Sequence, residues 1–199
     1  MRNSILSAAV ALLAIGATAG AQAQNVIANG DFELSNVATG GFESFANLGW
    51  SNVQWGSYSG TSSIVDVAGD QAARVNGGDA IWAAFQVSAA GDYQLSFDTV
   101  GDGYYALYNA STNTALNLDF LSNVAETAVS SAVYTLNTTD VYRLYFGSTV
   151  LPPTFSNSLT IDNVSVAAVV PEPETYAMML AGLGALGLMS RRRMNAKRA

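Results

Sequence analysis

At 199 residues, half of them apolar and only 12% charged, the chain has room for one domain plus targeting segments and too many aromatic and β-branched residues to be disordered. It has no cysteine and no histidine, which removes disulfides, thiolate chemistry, Ser-His-Asp and Cys-His catalysis, HExxH zinc sites and every imidazole base. Between Gln24 and Val169 only Arg74 and Arg143 oppose thirteen carboxylates, a net −11 that excludes nucleic acid as a partner.

The N-terminus has the three parts of a secretory signal peptide. Arg2 supplies the positive start, Ile5 to Ala19 form a mostly apolar run, and Ala21-Gln22-Ala23 offers the small-x-small cleavage pattern. Residues 1–23 are therefore expected to direct Sec export. Cleavage by signal peptidase after Ala23 leaves Gln24 as the mature N-terminus.

Residues 24–167 read as strands separated by turns. Ile81, Ala83, Phe85 and Val87 alternate with other residues, as do Tyr93, Leu95, Phe97 and Thr99, and Tyr142, Leu144 and Phe146. That is the period of two of a half-buried strand. Gly77-Gly78-Asp79, Ala90-Gly91-Asp92 and Gly101-Asp102-Gly103 are expected to punctuate these strands as turns. No segment shows a long 3.6-residue period, so short strands at near-regular spacing predict an all-β sandwich.

Aromatic residues are the natural platform for sugar rings, whose C–H faces are apolar. Trp50, Trp55 and Tyr58 lie in a Gly/Ser-rich stretch expected to be a loop, and Trp82 is out of phase with its apolar neighbours. Tryptophans usually fill cores, so each of these has two readings, core or glycan platform. Near the end of the domain the apolar phase flips, because Leu159 and Ile161 are opposite in phase to Val164 and Val166. The flip at Asp162-Asn163 predicts a β-bulge. Asp98 and Asp102 flank a Gly-rich turn, where aspartate is favoured for backbone reasons. They are not read as a catalytic pair, and no enzymatic activity is expected, although carboxylate-only hydrolysis is the one enzyme class the composition leaves open.

Asn29-Gly30-Asp31-Phe32-Glu33, Gly91-Asp92-Tyr93-Gln94-Leu95-Ser96-Phe97-Asp98 and Leu159-Thr160-Ile161-Asp162-Asn163-Val164-Ser165-Val166 together resemble the galactose-binding-like jelly rolls of carbohydrate-binding modules. The resemblance implies a jelly-roll β-sandwich whose first and last strands lie together, often with a structural calcium between them. Glu33 and Asp162 match the positions that would supply its carboxylates, with Asp31 as a further candidate. The other reading is that Asp162-Asn163 fills a bulge and Glu33 is solvated.

From 168 to the C-terminus come Pro171-Glu172-Pro173, an apolar run from Tyr176 to Met189, and Arg191-Arg192-Arg193. The prolines break any helix before the run. Fourteen residues at 1.5 Å each span roughly 21 Å, short of the ~30 Å hydrocarbon core, a gap that snorkelling arginines narrow. The positive-inside rule keeps the arginines cytoplasmic and the domain outside, the orientation the signal peptide also demands. The three parts in order resemble the PEP-CTERM sorting signal of bacterial exported proteins. The resemblance implies cleavage near Pro171-Glu172-Pro173 by an exosortase and brief inner-membrane anchoring through residues 176–189. It also implies a bacterial producer of exopolysaccharide. The expected function is a secreted, cell-surface or biofilm-matrix protein whose domain binds exopolysaccharide. The alternative is a structural or adhesive matrix component without sugar specificity.

Overall fold

Alternating apolar residues make strands because each strand can then bury one side and leave the other to water. The computed structural model describes residues 24–35, 37–148 and 158–169, together with 179 and 182–184. Among these, nine strands form: β1 Phe42–Ser44, β2 Gly56–Ser57, β3 Ser63–Val67, β4 Asp70–Val75, β5 Ala80–Phe85, β6 Gly91–Asn109, β7 Thr114–Leu136, β8 Tyr142–Gly147 and β9 Leu159–Ala168. Two one-turn helices, α1 Phe45–Leu48 and α2 Trp50–Val53, lie between β1 and β2. The protein is all-β, and Gln24–Val169 forms one compact unit.

The strands pair in the order β1-β3-β4-β9-β6-β8-β5-β2, with β7 on the other side of β6. Tyr93–Gly101 of β6 pairs with β9, whereas Tyr104–Asn109 pairs with β8. β6 thus leaves one layer and enters the other, and β7 follows it along its whole length. Two layers result, β1-β3-β4-β9 and β2-β5-β8, joined by the bent β6–β7 hairpin. Phe97 from one layer meets Phe146 from the other edge-on at 4.8 Å, and Phe97 meets Tyr105 across the bend at 5.1 Å.

Gly101-Asp102-Gly103 is therefore not the turn the sequence suggests but the bend of one continuous strand. Odd-numbered residues face inward on both sides of it, with Tyr93, Leu95, Phe97, Tyr105 and Leu107 all buried. Gly101 has φ 107°, and a side chain there would run into the Ser158 carbonyl. Only glycine relieves both constraints at once. Pairing with β7 on either side carries the ladder through.

The N-terminal segment lies along β9. Asn25 accepts from the Val166 N–H (2.9 Å) and donates to the Val164 carbonyl (3.0 Å), and the Gly30 carbonyl accepts from the Val164 N–H (2.8 Å). The phase flip in β9 is a bulge: Asn163 sits at φ 52°, and the β6–β9 register shifts between Ser96 and Asp98. Leu159, Ile161, Val164 and Val166 are consequently all buried.

Of the apolar run 176–189, residues 179 and 182–184 are helical and exposed. Among the described residues no helix is long and apolar enough to cross a membrane. The expected signal peptide, Pro171-Glu172-Pro173 and Arg191-Arg192-Arg193 lie outside the described residues.

Candidate functional site

The outward face of the β2-β5-β8 layer is built by residues out of phase with the core. The register sets Gly56, Trp82, Tyr145, Ala106 and Leu118 side by side across five strands. Gly147, Tyr104 and Phe120 form the row on one side, and Ala84, Arg143 and Tyr108 the row on the other. With strands about 4.8 Å apart, such a row is roughly 19 Å wide.

Two glycines flatten this face. A side chain at Gly56 would collide with the Trp82 indole, and one at Gly147 would collide with the Tyr104 phenol. Each ring therefore lies against bare backbone of the neighbouring strand. Trp50, carried by α2, stacks on Trp82 with centroids 4.8 Å apart and planes 25° apart. The Arg143 guanidinium carbon sits 5.2 Å from the Trp82 ring centroid, within cation–π range. Phe120 is 72% exposed and Trp50 42%, which is unusual for large rings unless a ligand or partner covers them.

The face brings together three of the four aromatic residues proposed from sequence. Trp50 and Trp82 stack, and Tyr58 extends the row of Gly147, Tyr104 and Phe120 through Ala80, to whose carbonyl its N–H donates (2.8 Å). The fourth, Trp55, belongs to the core and cannot serve a ligand. It is 1% exposed, packs on Phe32 at 5.2 Å and donates its indole N–H to the Asn29 carbonyl (3.1 Å). The stretch read as a loop also holds α2, whose apolar Val53 is buried.

Tyr58 is held in place from beneath. Asp79, buried at 3% exposure, accepts from the Ser57 hydroxyl (2.7 Å), the Ser59 N–H (2.8 Å), and both the N–H (2.8 Å) and hydroxyl (2.6 Å) of Ser62. Burial alone would raise its pKa, but these hydrogen bonds outweigh it and hold the carboxyl well below the usual carboxylate range. The 57–62 loop is thus tied at several points to one anion.

The outward face of the other layer is different in kind. Asp162 on β9 lies opposite Asp98 on β6. With Asp70, Glu126, Ala72 and Val100 they line a cavity of about 250 Å³. Burial pushes the Asp162 carboxyl up to about 7; the Asn163 N–H pulls it down, while the charges of Asp70, Asp98 and Glu33 add to the rise. Glu33 accepts from the Gln71 N–H (2.7 Å) and side-chain amide (3.3 Å), and Asp31 from the Glu33 N–H (3.5 Å). Among the described residues no three His, Cys, Asp or Glu side chains are placed to hold a metal ion. Glu33 and Asp162 alone supply few of the six to eight oxygens calcium takes. Asp98 accepts from the Asn163 amide (3.0 Å) and Asp102 from the Ser122 hydroxyl (2.7 Å).

Sequence reasoning missed Tyr104, Tyr145, Phe120 and Arg143. The signal was present for two of them, since Arg143 and Tyr145 interleave the buried set Tyr142, Leu144 and Phe146. Tyr104 was hidden by the misread turn at Gly101-Asp102-Gly103, and Phe120 by lying in the alternation Leu116, Leu118, Phe120 of β7, whose apolar side is the exposed one and not the core.

Residues 169–193 match the family described as the PEP-CTERM protein-sorting motif. The chain thus carries a sorting motif that marks it as exported and directed to the cell surface. The comparison with curated proteins found no match. Among solved structures, a family 61 carbohydrate-binding module in complex with β-1,4-galactotriose is similar, with 12% identity over 72% of this chain and 97% of that one, at TM-score 0.45. A family 16 carbohydrate-binding module is also similar, with 14% identity over 71% of this chain and 99% of that one, at TM-score 0.45. The xylan-binding domain of a Paenibacillus barcinonensis protein has 9% identity over 60% of this chain and 88% of that one, at TM-score 0.42.

Proposed function

We propose that this is an exported, non-catalytic protein that binds polysaccharide at the cell surface or in the extracellular matrix through its outward aromatic face. The observation that carries the reading is the outward Trp50–Trp82 stack, with Trp50 exposed and the half-buried Trp82 lying against Gly56. Flat rings on an open sheet suit a polymer lying across the strands, because stacked C–H faces gain contact without needing a closed pocket. Processing by an exosortase near Pro171-Glu172-Pro173, after export through Sec and cutting by signal peptidase, would release the domain from the membrane. Residues 176–189 and Arg191-Arg192-Arg193 would hold it there until then. Calcium at Glu33 and Asp162 belongs to this proposal only as a structural ion.

Affinity electrophoresis of the purified exported protein in gels containing different polysaccharides tests the reading. At least one polymer should retard the wild type, and Trp82→Ala should weaken that retardation by roughly 30-fold in affinity, the size of an aromatic hot spot. Retardation that survives Trp82→Ala and Trp50→Ala together would sink it and leave a matrix component without sugar specificity.

A further inference from the structure

Arg143 is one of two cations in a domain with thirteen carboxylates, and it is exposed. Its recorded partner is a ring: the guanidinium sits over Trp82, and among the described residues no carboxylate pairs with it. Asp140, the acid nearest in sequence, is engaged by the Asn109 and Asn137 amides, both at 2.7 Å. Asp102 shares the face but lies six residues along β6 from Tyr108, Arg143's neighbour, roughly 20 Å away. The positions bordering Arg143 include Ala84, Tyr108, Trp82 and Tyr145, none of them a carboxylate.

Resting on the reading of this face as a polysaccharide platform, we propose that it selects acidic polysaccharides, with Arg143 pairing to the carboxylate of a uronic-acid unit whose ring stacks beside it. An arginine fork matches a carboxylate with two parallel hydrogen bonds. Over an indole the guanidinium is already partly desolvated and oriented, so less is lost when it binds. The net −11 of the domain does not cancel this attraction. The opposite face, with Asp70, Asp98, Glu126 and Asp162, lies beyond two sheets packed about 10 Å apart, and charges farther than about 8 Å are largely screened at physiological salt. Nucleic acid remains excluded, since its dense backbone charge needs a broad basic surface. A uronate polymer brings one carboxylate per acidic ring, which one arginine can meet.

The test compares polygalacturonate, alginate and hyaluronan, each against its own methyl ester, so that only the charge differs. Wild type, Arg143→Gln, Arg143→Lys and Arg74→Gln are assayed, the last removing the same charge from the opposite face. The wild type should bind at least one free acid about tenfold more tightly than its ester. Arg143→Gln should bring that ratio to about one, Arg143→Lys should lower it partway, and Arg74→Gln should leave it unchanged. Equal or tighter binding of the esters overturns acidic selection and leaves the platform standing. A ratio that falls equally in Arg74→Gln traces it to net charge and overturns the role of Arg143. Binding of neither form of any of the three polymers overturns acidic selection, and the electrophoresis against neutral polysaccharides decides the platform separately.

Discussion

On one outward face Trp82 lies against Gly56 beneath Trp50 and Arg143, with neutral residues around it. On the other, Asp162 sits among Asp70, Asp98 and Glu126 with its carboxyl pushed up to about 7. The two faces share the β6–β7 hairpin, at different points along it, and otherwise draw on different strands. The aromatic face holds exposed apolar surface that water does not favour, and the acidic face holds charge that its own neighbours disfavour. Both are departures from what stability alone would select. The difference is that the first presents rings and a cation outward on flat backbone, whereas the second holds Asp98 and Asp162 in hydrogen bonds from Asn163. On the function proposed above, the first face meets a partner, while two acids of the second are engaged within the domain.

The comparison breaks most sharply at two carboxylates, the buried Asp79 and the half-buried Asp162. Asp79→Ala should destabilise the domain by about 3 kcal/mol, because it strands buried hydroxyl and N–H donors in the 57–62 loop. Chemical denaturation would show it, and a loss under about 1 kcal/mol would mean that water replaces the carboxylate easily. Its stability contribution is fully present above the unfolded pKa of about 4 and disappears only as pH falls through the depressed folded value.

Asp162 has the opposite sign. Its folded pKa is raised, so between about pH 4 and 7 the folded state holds a proton that the unfolded chain has lost, and stability falls as pH rises through that window. Melting midpoints in chelator should drop from pH 5 to pH 8, and Asp162→Asn should flatten the curve. Calcium at Glu33 and Asp162 would favour the ionised carboxylate and raise the midpoint at pH 8. Glu33→Ala and Asp162→Ala should each abolish that rise. A wild-type midpoint that calcium does not move would leave Asp162 as a bulge residue alone.

The smallest effect concerns the strand that serves both faces. Thr99, on β6 and fully buried, has a hydroxyl without a hydrogen-bond partner. Thr99→Val removes an unsatisfied polar atom at nearly constant shape and should stabilise by about 1 kcal/mol. Destabilisation of similar size would reveal a bound water there.

Much of this architecture is legible as phase. The alternations at Ile81–Val87, Tyr93–Thr99 and Tyr142–Phe146 predict strands that form, and the slip at Asp162-Asn163 predicts a bulge found at Asn163 with φ 52°. What phase cannot reveal is whether glycine ends a strand or bends it, since Gly101 serves both outcomes locally and pairing with β7 decides. The same limit hides the platform. Trp50, Trp55 and Trp82 are alike as residues, and only the Asn29 carbonyl that receives the Trp55 indole and the bare backbone at Gly56 separate the core ring from the surface ones.

β9 lies between β4 and β6, hydrogen-bonded to both, and the chain leaves the sandwich from its end at Ala168. If the protein is tethered beyond Val169 while a polymer pulls on the aromatic face, tension enters along β9. Antiparallel ladder bonds run perpendicular to their strands, so this load is shared by both ladders in shear and does not peel the bonds away one at a time. Resistance to forced unfolding is set by the unfolding rate, and a central strand gripped from two sides is where that rate is slowest to rise. The domain would act as a mechanical link that holds under drag.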